Sequence, residues 1–163
     1  DDFWEGIALN RKLQGSVLQS FDAFLLIRGM RTLFLRFEKA TENATRIAHH
    51  FEHHKFIEKV LYPGLASHPG HAIQAAQTGR LFGGMMSIIT KGNKQTAIDV
   101  ARYCNVFYPA TSLGGVESLI EHRATVSGED FPVHPNLLRL SIGIEDVNDL
   151  IDDLEQALER ANT

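Results

Sequence analysis

Four histidines crowd into six positions, His49-His50-Phe51-Glu52-His53-His54, and imidazole nitrogen is a ligand for transition metals. On a helix His49 would share a face with His53, and His50 with His54, each pair one turn apart. Two ligands on a face fall short of the set a closed zinc site takes, so a solvated helix end is expected and no metal is assigned. Cys104 is the one thiol. It can form neither an internal disulfide nor a thiolate zinc site, and within Ala101-Arg102-Tyr103-Cys104-Asn105-Val106 it is expected to pack in a core. Arg139 sits in Leu138-Arg139-Leu140-Ser141-Ile142, where alternation sends three apolar side chains to one strand face and Arg139 with Ser141 to the other. A guanidinium there can make a surface ion pair or hold both oxygens of a carboxylate, and the alternation leaves both open. By residue type alone, Ser112 ahead of Gly114 is an ordinary turn serine. Glu117 could act as a base, but satisfying backbone donors is the expected role.

Those side chains need elements to hold them. Leu33, Phe37, Ala40, Ala44, Ile47 and Phe51 recur in steps of four and three, which predicts a helix with one buried stripe running to about His53. Upstream, the first fifteen residues read as a helix, and Ser20 as the cap of a second one that bends or stops at Gly29. Residues 56–62 read as a strand closed by Pro63-Gly64, residues 71–77 as a short helix, and residues 85–90 as a second strand. A helix over residues 94–103, with Ala97, Ile98 and Ala101 on one side, precedes a brief strand at 105–108. The last helix is capped by Asp146 and Asp149, with Val147, Leu150, Ile151, Leu154 and Leu158 on its apolar face. Strands and helices interleave without the regular alternation of a doubly wound sheet, and neither Gly83-Gly84 nor Gly114-Gly115 has the spacing of a phosphate loop. The expected fold is α+β: a small, mainly antiparallel sheet with helices on one face, the other face being polar or covered by something else.

At 44% hydrophobic residues over 163 positions, one domain with a real core is expected. The net charge of −4 supplies no basic stripe for nucleic acid or anionic membrane, and no apolar run reaches the roughly 20 residues of a bilayer span. With an acidic start where a signal peptide would be basic, and a lone cysteine, the cytoplasm is the expected location.

Four stretches together carry a resemblance: Leu26-Ile27-Arg28-Gly29-Met30-Arg31-Thr32-Leu33 with Arg36, Leu61-Tyr62-Pro63-Gly64-Leu65-Ala66-Ser67-His68-Pro69, Thr111-Ser112-Leu113-Gly114-Gly115-Val116-Glu117-Ser118-Leu119-Ile120, and Leu138-Arg139-Leu140-Ser141-Ile142-Gly143-Ile144-Glu145-Asp146. In that order, over nearly the whole chain, the sequence resembles the second half of the transsulfuration enzymes of cysteine and methionine metabolism, cystathionine γ-synthase, γ-lyase and β-lyase among them. The resemblance implies the C-terminal domain of a fold-type-I enzyme dependent on pyridoxal phosphate, led into by a helical segment of about residues 1–53. In that family the Schiff-base lysine lies upstream of every residue here, so none of Lys12, Lys39, Lys55, Lys59, Lys91 and Lys94 is assigned to the cofactor. This chain alone is then expected to be inactive and to bind no cofactor.

The same resemblance makes Arg139 the clamp for the substrate α-carboxylate and places Ser112 and Thr111 beside the substrate. It implies a sulfur-containing amino-acid substrate, the protein's own cofactor-binding domain as a partner, and a homo-oligomer, a tetramer. Arg28 and Arg36 belong to the family framework and are expected in structural pairs. Thr111 departs from the glutamate that several synthases and γ-lyases carry, and His122-Arg123-Ala124-Thr125-Val126-Ser127-Gly128 departs from a more common His-Pro-Ala form. Cystathionine γ-synthase or γ-lyase chemistry is expected, with β-lyase as the alternative. A stand-alone binding or regulatory domain is the alternative of another class.

Overall fold

A computed structural model describes residues 1–127 and 132–163. The expected alternation organises a five-stranded sheet: β1 (Ile57–Leu61), β2 (Met85–Thr90), β3 (Tyr108–Pro109), β4 (Leu119–His122) and β5 (Leu137–Ser141) pair in the order β1-β2-β5-β4-β3. All pairings are antiparallel except that of β3 with β4. Register sets Leu140 between Met86 and Ile120, and Leu138 between Ile88 and His122. These residues therefore share one face, and their apolar members are at most 3% exposed. The same register sets Arg139 between Ser87 and Glu121 on the opposite face.

Two compact units divide the chain, Asp1–Phe34 and Leu35–Thr163. The first holds helices α1 (Asp2–Leu13) and α2 (Ser20–Met30), neither of which buries a residue. Ser20 is the first helical residue of α2 and not its cap, which falls to Gln19 without a side-chain hydrogen bond. The helix ends at Met30, one residue past Gly29, close to the stop expected from the sequence.

In the second unit the apolar stripe of α3 (Leu33–Phe51) packs Ala44, Ile47, Ala48 and Phe51 into the core. Next come α4 (His71–Thr78), closed by left-handed Gly79, and α5 (Lys94–Tyr103), opened by an Asn93–Thr96 capping box. The short α6 (Arg123–Ser127) follows β4, and α7 (Val147–Ala161) is capped by Asp146, whose side chain accepts from Asn148 N–H. Residues of α3, α5 and α7 form one core cluster with the apolar face of the sheet, so the expected α+β layering holds.

The strand expected at 105–108 shrinks to Tyr108–Pro109. Buried Asp153 of α7 explains the difference: its carboxylate accepts from the backbone N–H groups of Asn105 (2.8 Å), Val106 (2.8 Å) and Phe107 (3.1 Å), donors a strand would have spent on a neighbour. Strand β4, four residues long and buried throughout, has no apolar–polar alternation to mark it in the sequence. Of the α5 residues expected on one side, Ala97 and Ala101 are buried while Ile98 is half-exposed, with Val100 taking the third core place.

Candidate functional site

The loop 111–118 and the turn 143–146 are fastened to each other by buried polar groups. Ser118 donates its backbone N–H to Glu145 Oε1 at 2.6 Å and its hydroxyl to Glu145 Oε2 at 2.8 Å, while accepting from Gly143 N–H at 2.9 Å. The Ile144 N–H reaches the Val116 carbonyl at 2.9 Å. From α3, fully buried Asn43 donates to the carbonyls of Gly143 (3.1 Å) and Glu145 (2.9 Å). A Cβ on Gly143 would collide with the Val116 carbonyl oxygen, so only glycine permits this approach. Two of the four stretches singled out in the sequence thus meet here, and Glu145 takes the backbone-satisfying role expected of Glu117. The Glu117 side chain is exposed and makes no hydrogen bond among the described residues.

A third stretch braces α3 and β2 near this turn. Tyr62, fully buried, donates its hydroxyl to the Gly83 carbonyl at 2.9 Å and meets the Thr45 hydroxyl at 3.2 Å. Burial pushes the phenol's pKa above its ordinary value, against a smaller lowering by Thr45.

Fastening the loop fixes Ser112 beside β5. Arg139 extends from the face opposite the core, and its Nη2 donates to the Ser112 carbonyl at 3.4 Å. The same nitrogen lies 2.7 Å from Glu121 Oε2, an ion pair whose N–H direction misses hydrogen-bond geometry. Glu121 Oε1 accepts a well-aligned bond from Arg123 Nη1 at 2.6 Å. The Glu121 side chain is 3% exposed, against 24% for Arg139 and 34% for Arg123. One buried negative charge therefore faces two half-exposed positive ones, and the group carries a surplus positive charge toward solvent. Arg139 Nε and Nη1 have no partner among the described residues.

Of the expected site residues, Arg139 and Ser112 are brought together, though through the serine carbonyl; the Ser112 and Thr111 side chains are exposed. Thr111 borders a cavity of about 270 Å³ at the sheet edge, with Arg102, Glu121, His122 and Thr125 as its polar neighbours. Neither Arg139 nor Ser112 lines that cavity. Glu121, the partner of Arg139, was missed because β4 was missed. A carboxylate two residues before Arg123 was the available signal.

The histidine cluster has a carboxylate neighbour that the sequence reading did not supply. Glu155 of α7 meets His50 Nε2 at 2.7 Å and His54 Nε2 at 3.0 Å, tying α7 to the end of α3. Among the described residues no group of three or more histidines, cysteines or carboxylates is placed to hold a metal ion. Cys104 is largely enclosed, and its thiol is pushed far up, first by burial and then by the charge of Asp153. Arg28 makes no ion pair among the described residues, contrary to expectation, whereas Arg36 does have a partner.

The sequence profile of the Cys/Met metabolism PLP-dependent enzymes matches residues 2–159. Cystathionine γ-synthase of Mycobacterium tuberculosis is 48% identical over 149 residues, covering 88% of this chain and 38% of that protein. Cystathionine β-lyase of Coxiella burnetii is 42% identical over 88% of this chain and 39% of its own length. Crystal structures agree: yeast cystathionine γ-lyase matches with a TM-score of 0.88 at 35% identity, over 100% of this chain and 44% of that one. The Xanthomonas oryzae pv. oryzae cystathionine γ-synthase, solved with aminoacrylate and cysteine, matches with a TM-score of 0.80 at 43% identity, over 87% of this chain and 38% of that one. The chain thus spans about two fifths of the length of these relatives.

Among the described residues nothing fits the cofactor itself. Lys39 pairs with Glu42 at 3.5 Å, Lys55 with Glu159 at 3.4 Å, and Lys91 donates to the Lys55 carbonyl at 2.8 Å. Lys12 and Lys94 are exposed, and Lys59 borders a cleft of about 430 Å³ shared with Glu52 and Glu58, whose charge would repel a phosphate. No lysine is buried.

Proposed function

This chain belongs to the Cys/Met metabolism PLP-dependent enzyme family, and from that premise we propose that it is the substrate-carboxylate end of an enzyme that makes or cleaves cystathionine. The observation that carries the reading is Arg139. Its Nη2 lies against Glu121 and donates to the Ser112 carbonyl, while Nε and Nη1 have no partner among the described residues; a forked carboxylate would take the second hydrogen of Nη2 together with one of these two. A planar guanidinium holds a carboxylate through two parallel charge-assisted bonds, which fixes the orientation of the amino acid's Cα–H bond as well as its affinity. Ser112, whose carbonyl accepts from Arg139, stands beside that position, with Thr111 next to it in the chain. Pyridoxal phosphate and its lysine come from a partner domain outside these residues, and the chain by itself is inactive.

The γ-synthase reading draws support from the 48% identity to the mycobacterial synthase, against 42% for the β-lyase. Product analysis separates the three reactions: a γ-synthase forms cystathionine, γ-cleavage of cystathionine frees cysteine, and β-cleavage frees homocysteine. We place the enzyme in the cytoplasm as a homo-oligomer, in keeping with the family and with a single unpaired cysteine. No helix among the described residues is long and apolar enough to cross a membrane.

The test of the site is Arg139→Lys in the complete, cofactor-loaded enzyme. Lysine keeps the charge but loses the fork, and kcat/KM is expected to fall roughly 10- to 1000-fold. A value within about twofold of the parent would contradict the assignment.

A further inference from the structure

We propose that Glu121 is a positioning residue for Arg139, a fixed negative post that holds the guanidinium in the pose that receives a carboxylate; the proposal rests on the reading of Arg139 given above.

Three observations lead to it. Register places Glu121 directly across from Arg139 on the same sheet face, so the pairing is set by the backbone ladder and not by flexible side chains alone. Glu121 is the most buried member of the group, and burying a carboxylate is costly unless charges compensate it. Two arginines do so here, although one would neutralise it. Arg123 satisfies Oε1 with a 2.6 Å aligned hydrogen bond, whereas Oε2 touches Arg139 at 2.7 Å without one. A guanidinium held by attraction at Nη2, with its other N–H groups undirected by the protein, is restrained in place while remaining open to a second, better aligned acceptor.

Arg123 then has a definite part. By balancing the charge of Glu121 it leaves Arg139 with a net positive field toward solvent, where a full one-to-one pair would have cancelled it. The open side of the group selects a ligand with a planar, singly charged carboxylate over its neutral amide.

The experiment uses the complete, cofactor-loaded enzyme and its Glu121→Gln, Arg139→Lys and double variants. Steady-state kinetics are measured with an α-carboxylate substrate, and calorimetric affinities with L-alanine and L-alaninamide. Glu121→Gln is expected to lower kcat/KM about 10- to 100-fold, mostly through KM, and to weaken L-alanine at least tenfold while changing L-alaninamide by less than about threefold. Combined with Arg139→Lys, the loss should be smaller than the product of the single losses, because both act on one contact. Glu121→Asp keeps the charge but withdraws it by one methylene; it should show the same selective loss with Tm nearer the parent's, which covers the case in which the glutamine variant folds poorly. Equal weakening of alanine and alaninamide, or parental kinetics in both Glu121 variants beside an impaired Arg139→Lys, would overturn the positioning role and leave the clamp standing. Parental kinetics in Arg139→Lys would remove the clamp itself and the proposal with it.

Discussion

The two faces of the sheet solve the placing of polar groups in opposite ways. On the helix-covered face, Leu138, Leu140, Ile120 and Ile88 are all but sealed, and buried Asp153 of the covering helix α7 spends its carboxylate on three backbone N–H groups of its own chain. On the open face the ladder Ser87–Arg139–Glu121 carries charges whose donors outnumber their local acceptors. A strand's two-residue period thus gives one short segment two surroundings: Leu138 and Leu140 face the core, and Arg139 between them faces Glu121 on the opposite side.

The sharpest way to break that division is to cut into the sealed side. Leu140→Ala is expected to cost about 2–5 kcal/mol of stability in urea titration, since a fully buried leucine leaves a cavity as well as lost transfer energy. Arg139→Ala should cost less, about 1–3 kcal/mol, because Glu121 loses one of its two cations yet keeps Arg123. A loss at Arg139 equal to that at Leu140 would erase the contrast between the faces.

Cys104 gives the mildest test. Burial first, and Asp153 second, raise its thiol well above an ordinary value near 9, so the folded chain keeps the proton where the unfolded chain has given it up. Stability from this group is present below about pH 9 and declines as pH rises above it. Iodoacetamide at pH 8.5 should label native protein at least about 100-fold more slowly than urea-unfolded protein, because the thiolate is the reactive form. Comparable rates would show that the helix-covered side is not sealed at α5.

Long periodic segments were legible from the residues: α3, β2, α5 and α7 lie where hydrophobic spacing places them, and the Arg139 face follows from alternation alone. What escaped depends on partners distant in sequence. β4 is four residues long, and its Glu121 acquires meaning only beside Arg139 across the ladder. The stretch 105–107 has strand-like residues, but a carboxylate on the last helix claims its donors. Glu155 between His50 and His54 belongs to the same class, because no spacing within α3 announces a side chain from α7. Of the site, the face that carries Arg139 was readable from the strand's alternation, whereas its pairing with Glu121 was not.

The most direct test of the clamp is a crystal structure of the complete enzyme with an unreactive amino acid bound. The account predicts both carboxylate oxygens within about 2.7–2.9 Å of Arg139 guanidinium nitrogens, with Glu121 still in place behind them. A carboxylate bound elsewhere, with Arg139 paired only to Glu121, would contradict it.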